Sequence, residues 1–271
     1  SYPTCNLDEA IALKKYDFFS TESGVDIVRV KMLVHPHQKS NFALRGLSQL
    51  ALPFLYFIKS FKFLKKQKID IVVVYSPPLT LAFTGILIKK FFKAKLVLNV
   101  QDLFPQNAID LNILKNPLLI RLFEWIERVA YQYADTVTAH SKQNKTFLID
   151  KKFLPEEKVA VLHNWIDVEL YQSVKRTNAF RSRYGLDGKF IFLFAGVIGP
   201  SQGIDVILEL AEQLKSNPSI SFLIVGDGME KDRLEKSALT RSLSNVLFKP
   251  FVNKDDYPLL VKDVDVGIVC L

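Results

Sequence analysis

Nine short β-branched, apolar runs recur along this chain, and helix-period segments separate most of them. The runs are VDIVRVKML (25–33), IDIVVVYS (69–76), AKLVLNVQD (94–102), DTVTAHS (135–141), KVAVLHN (158–164), KFIFLFAG (189–196), SFLIVGDG (221–228), NVLFKPF (245–251) and VDVGIVCL (264–271). The helix-patterned segments include LTLAFTGILIKKFF (79–92), PLLIRLFEWIERVAYQYA (117–134), IDVILELAEQLKS (204–216) and MEKDRLEKSALTRS (229–242). Strands alternating with helices build βαβ units, and βαβ units build parallel sheets. Uninterrupted runs such as VVV and IFLF fit strands buried on both faces. The segment DVELYQSVKRTNAFRSRYGLDGKF (167–190) has no long apolar period and leads into a fresh strand. The expected architecture is therefore α/β, with two Rossmann-like, doubly wound parallel-sheet domains over 1–165 and 166–271. No sequence repeat is found. YADTVTAHS and VKDVDVGIVCL do echo each other, each placing Asp after a helix-like segment and just before an apolar strand.

Half of the residues are apolar (49%) and a quarter charged (24%), which excludes disorder. Two distant cysteines, Cys5 and Cys270, make no disulfide framework and favour a reducing compartment. The charge is lopsided. Residues 1–165 carry 23 Lys and Arg against 14 Asp and Glu, whereas 166–271 carry 13 against 14. That asymmetry suits an anionic partner for the first part: nucleic acid, a membrane surface or a phosphorylated substrate. Nucleic acid fits the charge alone, because no recognition motif accompanies it. The stretch ALRGLSQLALPFLYFIKSFKFLKKQK (43–68) joins apolar aromatics to a lysine run. Interrupted by Pro53, it is too short to cross a bilayer and suits the surface of an anionic membrane. A core helix with a solvated lysine end is the plainer alternative. Both chain ends read as trimmed, with no Met at the start and an apolar strand-like run at the finish.

Chemistry concentrates at strand ends. Gly196, Gly199 and Gly203 follow a strand and open a helix as G-x-x-G-x-x-x-G, which is neither the dinucleotide nor the P-loop pattern. Such glycines let backbone N–H groups approach an anion, and the next helix aims its positive end at the same place. A tight turn with no ligand is the alternative. IVGDG (224–228) ends the next strand with Gly226 and Gly228, so two glycine ends are expected to face one crevice. Asp102 lies at a strand's carboxyl end and suits a general base; capping the next turn is its other reading. His140, and His163 with Asn164, end strands as well and are candidates for a cleft between domains; hinge residues with satisfied hydrogen bonds are the other reading of His163 and Asn164. Asp263-Val264-Asp265 matches D-x-D, yet it directly precedes a strand. His35-Pro36-His37 has no Cys or Glu cluster beside it, so no metal is expected at either. Trp125 reads as core.

In order, strand–DLFP, HNWID, FAGVIGPSQGID and IVGDG carry a resemblance. The chain is similar to retaining glycosyltransferases of the GT-B type, family 4, and resembles bacterial enzymes that transfer an amino sugar in O-antigen or capsule assembly. Ala195 to Asp205, as AGxxGxxQGxD, is the most specific piece. The resemblance implies an acceptor-binding N-terminal domain and a C-terminal domain that binds a UDP- or GDP-linked sugar. The donor diphosphate would lie against Gly196, Gly199, Gln202 and Gly203, and the nucleotide against Gly226, Asp227 and Gly228. Neither cofactor nor metal is implied. The acceptor would be a lipid-linked saccharide, placing the protein in the cytoplasm at the inner face of the plasma membrane. Many members have His-Asp where this chain has Gln101-Asp102, which leaves Asp102 as the catalytic candidate and Gln101 lining the cleft. Many also have Lys where Gln202 stands. The family's first strand and its Glu-x₇-Glu segment lie outside 1–271, so both domains are expected to be incomplete. A nucleotide-sugar epimerase of the same fold and a non-catalytic sugar-nucleotide-binding subunit are the alternatives.

Overall fold

The structure is a computed structural model that describes residues 18–22, 24–30 and 42–270. It divides into two compact units, Ser1–Asn164 and Trp165–Leu271.

The first unit opens with a hairpin, β1 (Phe18–Glu22) and β2 (Val25–Arg29), paired antiparallel as a sheet of its own. Gly24 stands at φ +78° between them. The run read at 25–33 as a strand of the parallel sheet therefore pairs locally instead; its last residues, 31–33, lie outside those described. A short connection lets a neighbouring strand compete successfully with a distant one.

Helix α1 (Phe42–Leu64) follows, then β3 (Ile71–Ser76), α2 (Ala82–Phe92), β4 (Lys95–Val100), α3 (Gln106–Asp110), α4 (Pro117–Tyr133), β5 (Thr136–Ala139), α5 (Lys142–Asp150) and β6 (Val159–Val161). The expected interruption at Pro53 does not occur: α1 runs through it without a break. Packing outweighs the proline's local cost here. Phe61 meets Phe91 and Phe92 of α2, and Thr84 Oγ1 donates to the Pro53 carbonyl at 2.9 Å.

The four strands lie in chain order, β3-β4-β5-β6, all parallel. Right-handed crossovers that always step the same way put their helices on one face. Accordingly Ala82, Ile86, Ile126, Ala130 and Leu148 join Val74, Leu96, Leu98 and Val137 in one core. On the other face Ile71, Val73 and Tyr75 are exposed. The expectation that VVV is buried on both faces thus fails at β3, because strand order, not hydrophobicity, decides where helices go.

The second unit has α6 (Val168–Ser173), α7 (Ala179–Tyr184), β7 (Phe190–Val197), α8 (Asp205–Gln213), β8 (Ile220–Asp227), α9 (Lys231–Thr240), β9 (Val246–Lys249), α10 (Tyr257–Asp263) and β10 (Val266–Gly267). The strands are parallel in the order β10-β7-β8-β9. Order reverses at β7, so helices cover both faces. One core joins Phe194, Ile207, Leu208, Phe222 and Leu234; the other joins Phe180, Ile191, Leu193, Leu223 and Leu260. IFLF is buried from both sides, as read.

Candidate functional site

In a parallel sheet the crevice for a ligand opens at the carboxyl ends of the strands, where strand order reverses. In the second unit that place is the end of β7, which has β8 on one side and β10 on the other. The loop leaving it runs through one tight helical turn, Pro200–Gln202, and Gly203 at φ +54°, directly into α8. The end of β8 lies beside it, with Gly196 and Gly226 opposite each other in register.

The glycines here have different reasons for being glycine. A Cβ on Gly226 would sit 1.9 Å from the Gly196 carbonyl oxygen, and one on Gly228 would sit 2.2 Å from that of Ile198. The two loops are stitched there, Ile198 N–H donating to Asp227 O at 2.8 Å and Glu230 N–H to Ile198 O at 3.1 Å. Gly226 and Gly228 are thus demanded by the fold itself. Gly196 is not: it avoids positive φ, and the nearest atom to an added Cβ is 3.7 Å away on Phe194. At Gly199 the only close neighbour is the movable Gln202 Oε1, at 3.1 Å. Ser201 Oγ donates to that same oxygen.

Asp205 occupies the first turn of α8. Arg233 of α9 takes its carboxylate with two hydrogen bonds, 2.9 and 2.6 Å, and reaches Glu230 at 2.6 Å. The guanidinium holds the Asp205 carboxyl below the usual carboxylate range. A carboxylate that would compete with an anion at this helix end is thereby neutralised. Sequence reading missed this clamp. The three-residue spacing of Glu230 and Arg233 was a visible cue; Asp205, 28 residues from Arg233, was not.

In the first unit, register aligns Ser76, Val100, Ala139 and Val161 across the sheet, so Gln101 and His140 start the loops beyond adjacent strand ends. Gln101 Nε2 donates to the buried Asn99 Oδ1 at 2.6 Å. His163 Nδ1 lies 2.8 Å from the His140 carbonyl. A carbonyl only accepts, so Nδ1 carries the hydrogen and Nε2 is left available. His140 Nδ1 is buried without a partner, while its Nε2 faces Asn144 at 3.5 Å. Asp102 is exposed, and α3 begins at Gln106 after Pro105 with no side-chain cap. Its carboxylate is therefore not spent on capping. Asn164 closes the unit, also exposed.

Residues 12–165 match the model of the glycosyl transferase 4-like domain, and residues 176–271 match that of glycosyl transferases group 1. The chain belongs to the family 4 glycosyltransferases. It is 32% identical over 211 residues to a putative colanic acid biosynthesis glycosyl transferase, WcaI, of Escherichia coli K12, with 76% of this chain and 51% of that protein covered. It is 30% identical over 207 residues to the probable glycosyltransferase WbjE of Pseudomonas aeruginosa, covering 74% and 50%. The chain thus spans about half the length of these curated relatives. Among solved structures, Anabaena HepE in complex with UDP-glucose superposes with a TM-score of 0.61 at 18% identity, covering 84% of this chain and 63% of that one. That likeness shows a shared GT-B fold.

Two features of this chain correct or refine the sequence reading. Trp125, expected in the core, is half exposed and rests its ring 6.3 Å from that of Phe83. The Asp263 and Asp265 carboxylates are both occupied. Asp263 is buried and accepts N–H bonds from Thr177, Asn178 and Phe180 at the start of α7. Asp265 accepts from Ile191 N–H and pairs with Arg176 and Arg181. No group of three or more metal-ligating side chains occurs among the described residues; His35 and His37 lie outside them.

Proposed function

We propose that this chain is part of a retaining glycosyltransferase that moves a hexose-type sugar from a UDP- or GDP-linked donor to a lipid-linked saccharide acceptor during cell-surface polysaccharide synthesis. The observation that carries the reading is Gly196. It ends the strand at which sheet order reverses, and neither its backbone angles nor its neighbours require glycine. The space that the missing side chain leaves suits close approach of the donor. Backbone amides of Gly196 to Gly203, with the positive end of α8, take the donor diphosphate, and Gln202 supplies a neutral contact. Gly226, Asp227 and Gly228 border the nucleotide. As the sugar C1–O bond to phosphate breaks and a new C1–O bond to the acceptor forms, negative charge builds on the departing diphosphate and the amides stabilise it. Asp102 takes the acceptor hydroxyl's proton, with Gln101, His140, His163 and Asn164 around the acceptor.

The basic first unit is the part that meets the membrane. Leu50, Phe54 and Ile58 of α1 recur every fourth residue and are exposed, and Lys62, Lys65, Lys66 and Lys68 follow at the helix end. No described helix is long and apolar enough to cross a membrane. The proposed contact is peripheral, through this exposed apolar row and its lysines on an anionic inner leaflet, with the rest of the protein in the cytoplasm.

Thermal protection tests the donor reading. UDP or GDP raises the melting temperature of this chain, and Gly199→Val removes the rise. Protection by NAD with none by UDP or GDP overturns it, as does protection that survives the substitution.

A further inference from the structure

The candidate residues of the first unit gather at the carboxyl ends of its strands. At the opposite edge, beside the start of β6, is a cavity of about 620 Å³. The second half of α4 lines it with Glu124, Glu127, Arg128, Tyr131 and Gln132, and the segment between α5 and β6 lines it with Lys151 to Pro155 and Lys158. Its floor is a closed unit. The buried Glu127 carboxylate accepts from Tyr131 Oη at 3.0 Å and from Lys152 Nζ at 2.8 Å. Its rim is not closed. Arg128 and Lys151 form no ion pair among the described residues, and Lys158 donates only to the Gln132 carbonyl, at 3.2 Å.

Four cations against two carboxylates leave an excess of two positive charges around one cavity. A phosphomonoester dianion balances that excess, and a planar guanidinium with two ammonium groups matches its three terminal oxygens. The volume greatly exceeds a phosphate group and lies in the range of small-molecule sites. Leu154, Pro155 and Phe153 supply an apolar wall for the esterified alcohol. Phe153 is 86% exposed and held at φ +55°, an orientation costly for a bulky residue.

We propose that this cavity is a second anion site, binding a phosphomonoester through Arg128, Lys151 and Lys158 and apart from the donor loop. Lys158 supports it: burial, and repulsion from Lys89, push its ammonium pKa below the ordinary lysine value. A bound anion would offset the repulsion from Lys89.

Lysine acylation followed by mass spectrometry reads the site directly. Inorganic phosphate slows acylation of Lys158 relative to chloride at equal ionic strength. In R128A/K151A the phosphate needed for half-protection rises by roughly tenfold, the loss expected for charge-assisted hydrogen bonds. Should the double variant unfold, Lys151→Gln alone makes the same test. Equal acylation in phosphate and chloride overturns the proposal, and so does protection unchanged in the variant. Glycerol 3-phosphate and phosphatidic acid vesicles, run beside phosphatidylcholine vesicles, then separate the sources. Protection by the free ester marks a metabolite site, and protection by the acidic vesicles alone marks a lipid headgroup site.

Discussion

The two sheets are built alike at their amino edges and differently everywhere else. At each amino edge an aspartate just before a strand reaches the neighbouring strand. Asp135 accepts from Leu96 N–H and pairs with Lys89, and Asp265 accepts from Ile191 N–H and pairs with Arg181. Beyond that shared joint, the second sheet reverses its strand order and is covered on both faces, while among the described residues the first keeps chain order and leaves one face of β3 open. The carboxyl edges differ as well. One offers side chains, Gln101, Asp102, His140 and His163; the other offers backbone, through Gly196 to Gly203. Strand order is the source of the contrast, since only a reversal opens a crevice into which a backbone loop can face.

Truncation on the two faces breaks or sharpens this most strongly. Phe222 is 2% exposed and stacks on Phe192 with centroids 5.2 Å apart. Phe222→Ala costs roughly 3–5 kcal/mol. Val73 is 54% exposed on the open face of β3, and Val73→Ala changes stability by less than about 0.5 kcal/mol. Urea unfolding of both variants decides it. A large loss at Val73 would mean that the outer face of β3 is covered.

Gly226→Ala comes next. The added methyl meets the Gly196 carbonyl at 1.9 Å, and both atoms belong to backbones fixed by strand pairing. Relief requires the loops to part, at about 3 kcal/mol, the upper range for overpacking. A melting temperature equal to that of the parent chain would show that the stitched loops are not part of the fold.

Much of this was legible in the sequence, for identifiable reasons. A period of 3.6 residues marked α4, α8 and α9, and glycine with β-branched runs marked the ends of β7 and β8. Those signals are local. The open face of β3 was illegible because VVV reads the same whether or not helices cover it. The hairpin at 18–29 was hidden because strand runs do not announce their partners. In the candidate site, the glycines were all visible, but their separate causes were not: Gly226 answers to a carbonyl thirty residues earlier, whereas a Cβ on Gly196 would crowd no atom of the described residues. The cavity beside β6 needed α4 and the residues after α5 to meet, which no spacing records.

The amino-edge aspartates test the likeness. Burial alone acts to raise both carboxyl groups. The N–H of Leu96 with Lys89, and that of Ile191 with Arg181, outweigh it and hold both below the ordinary value of 3.8. A depressed folded pKa contributes stability that is complete above the unfolded value and is lost as pH falls through the folded one. Both contributions therefore fade below pH 3.8. They differ in size. Arg181 is 8% exposed, so Asp265→Asn leaves a guanidinium buried without its counter-charge and costs about 3 kcal/mol. The partners of Asp135 are 27% and 75% exposed, and Asp135→Asn costs about 1 kcal/mol. Stability measured from neutral pH downward should show each variant's deficit shrinking on the acid side. A deficit independent of pH would remove the carboxylate charge from the explanation.

The smallest effect on stability belongs to Gly196→Ala, and it separates glycine kept for the fold from glycine kept for a ligand. Its Cβ has 3.7 Å to the nearest atom and its backbone makes no demand for glycine, so the melting curve should match the parent within about 0.5 kcal/mol. On the proposed donor reading the methyl stands where the diphosphate approaches the amides, and UDP affinity falls by at least about tenfold, one lost charge-assisted contact. Calorimetric titration beside a thermal melt reads both quantities on one sample. Intact UDP binding in the folded variant would move the donor away from the end of β7. Loss of both together would place Gly196 with Gly226, as a residue the fold requires, and erase the distinction between the two strand ends.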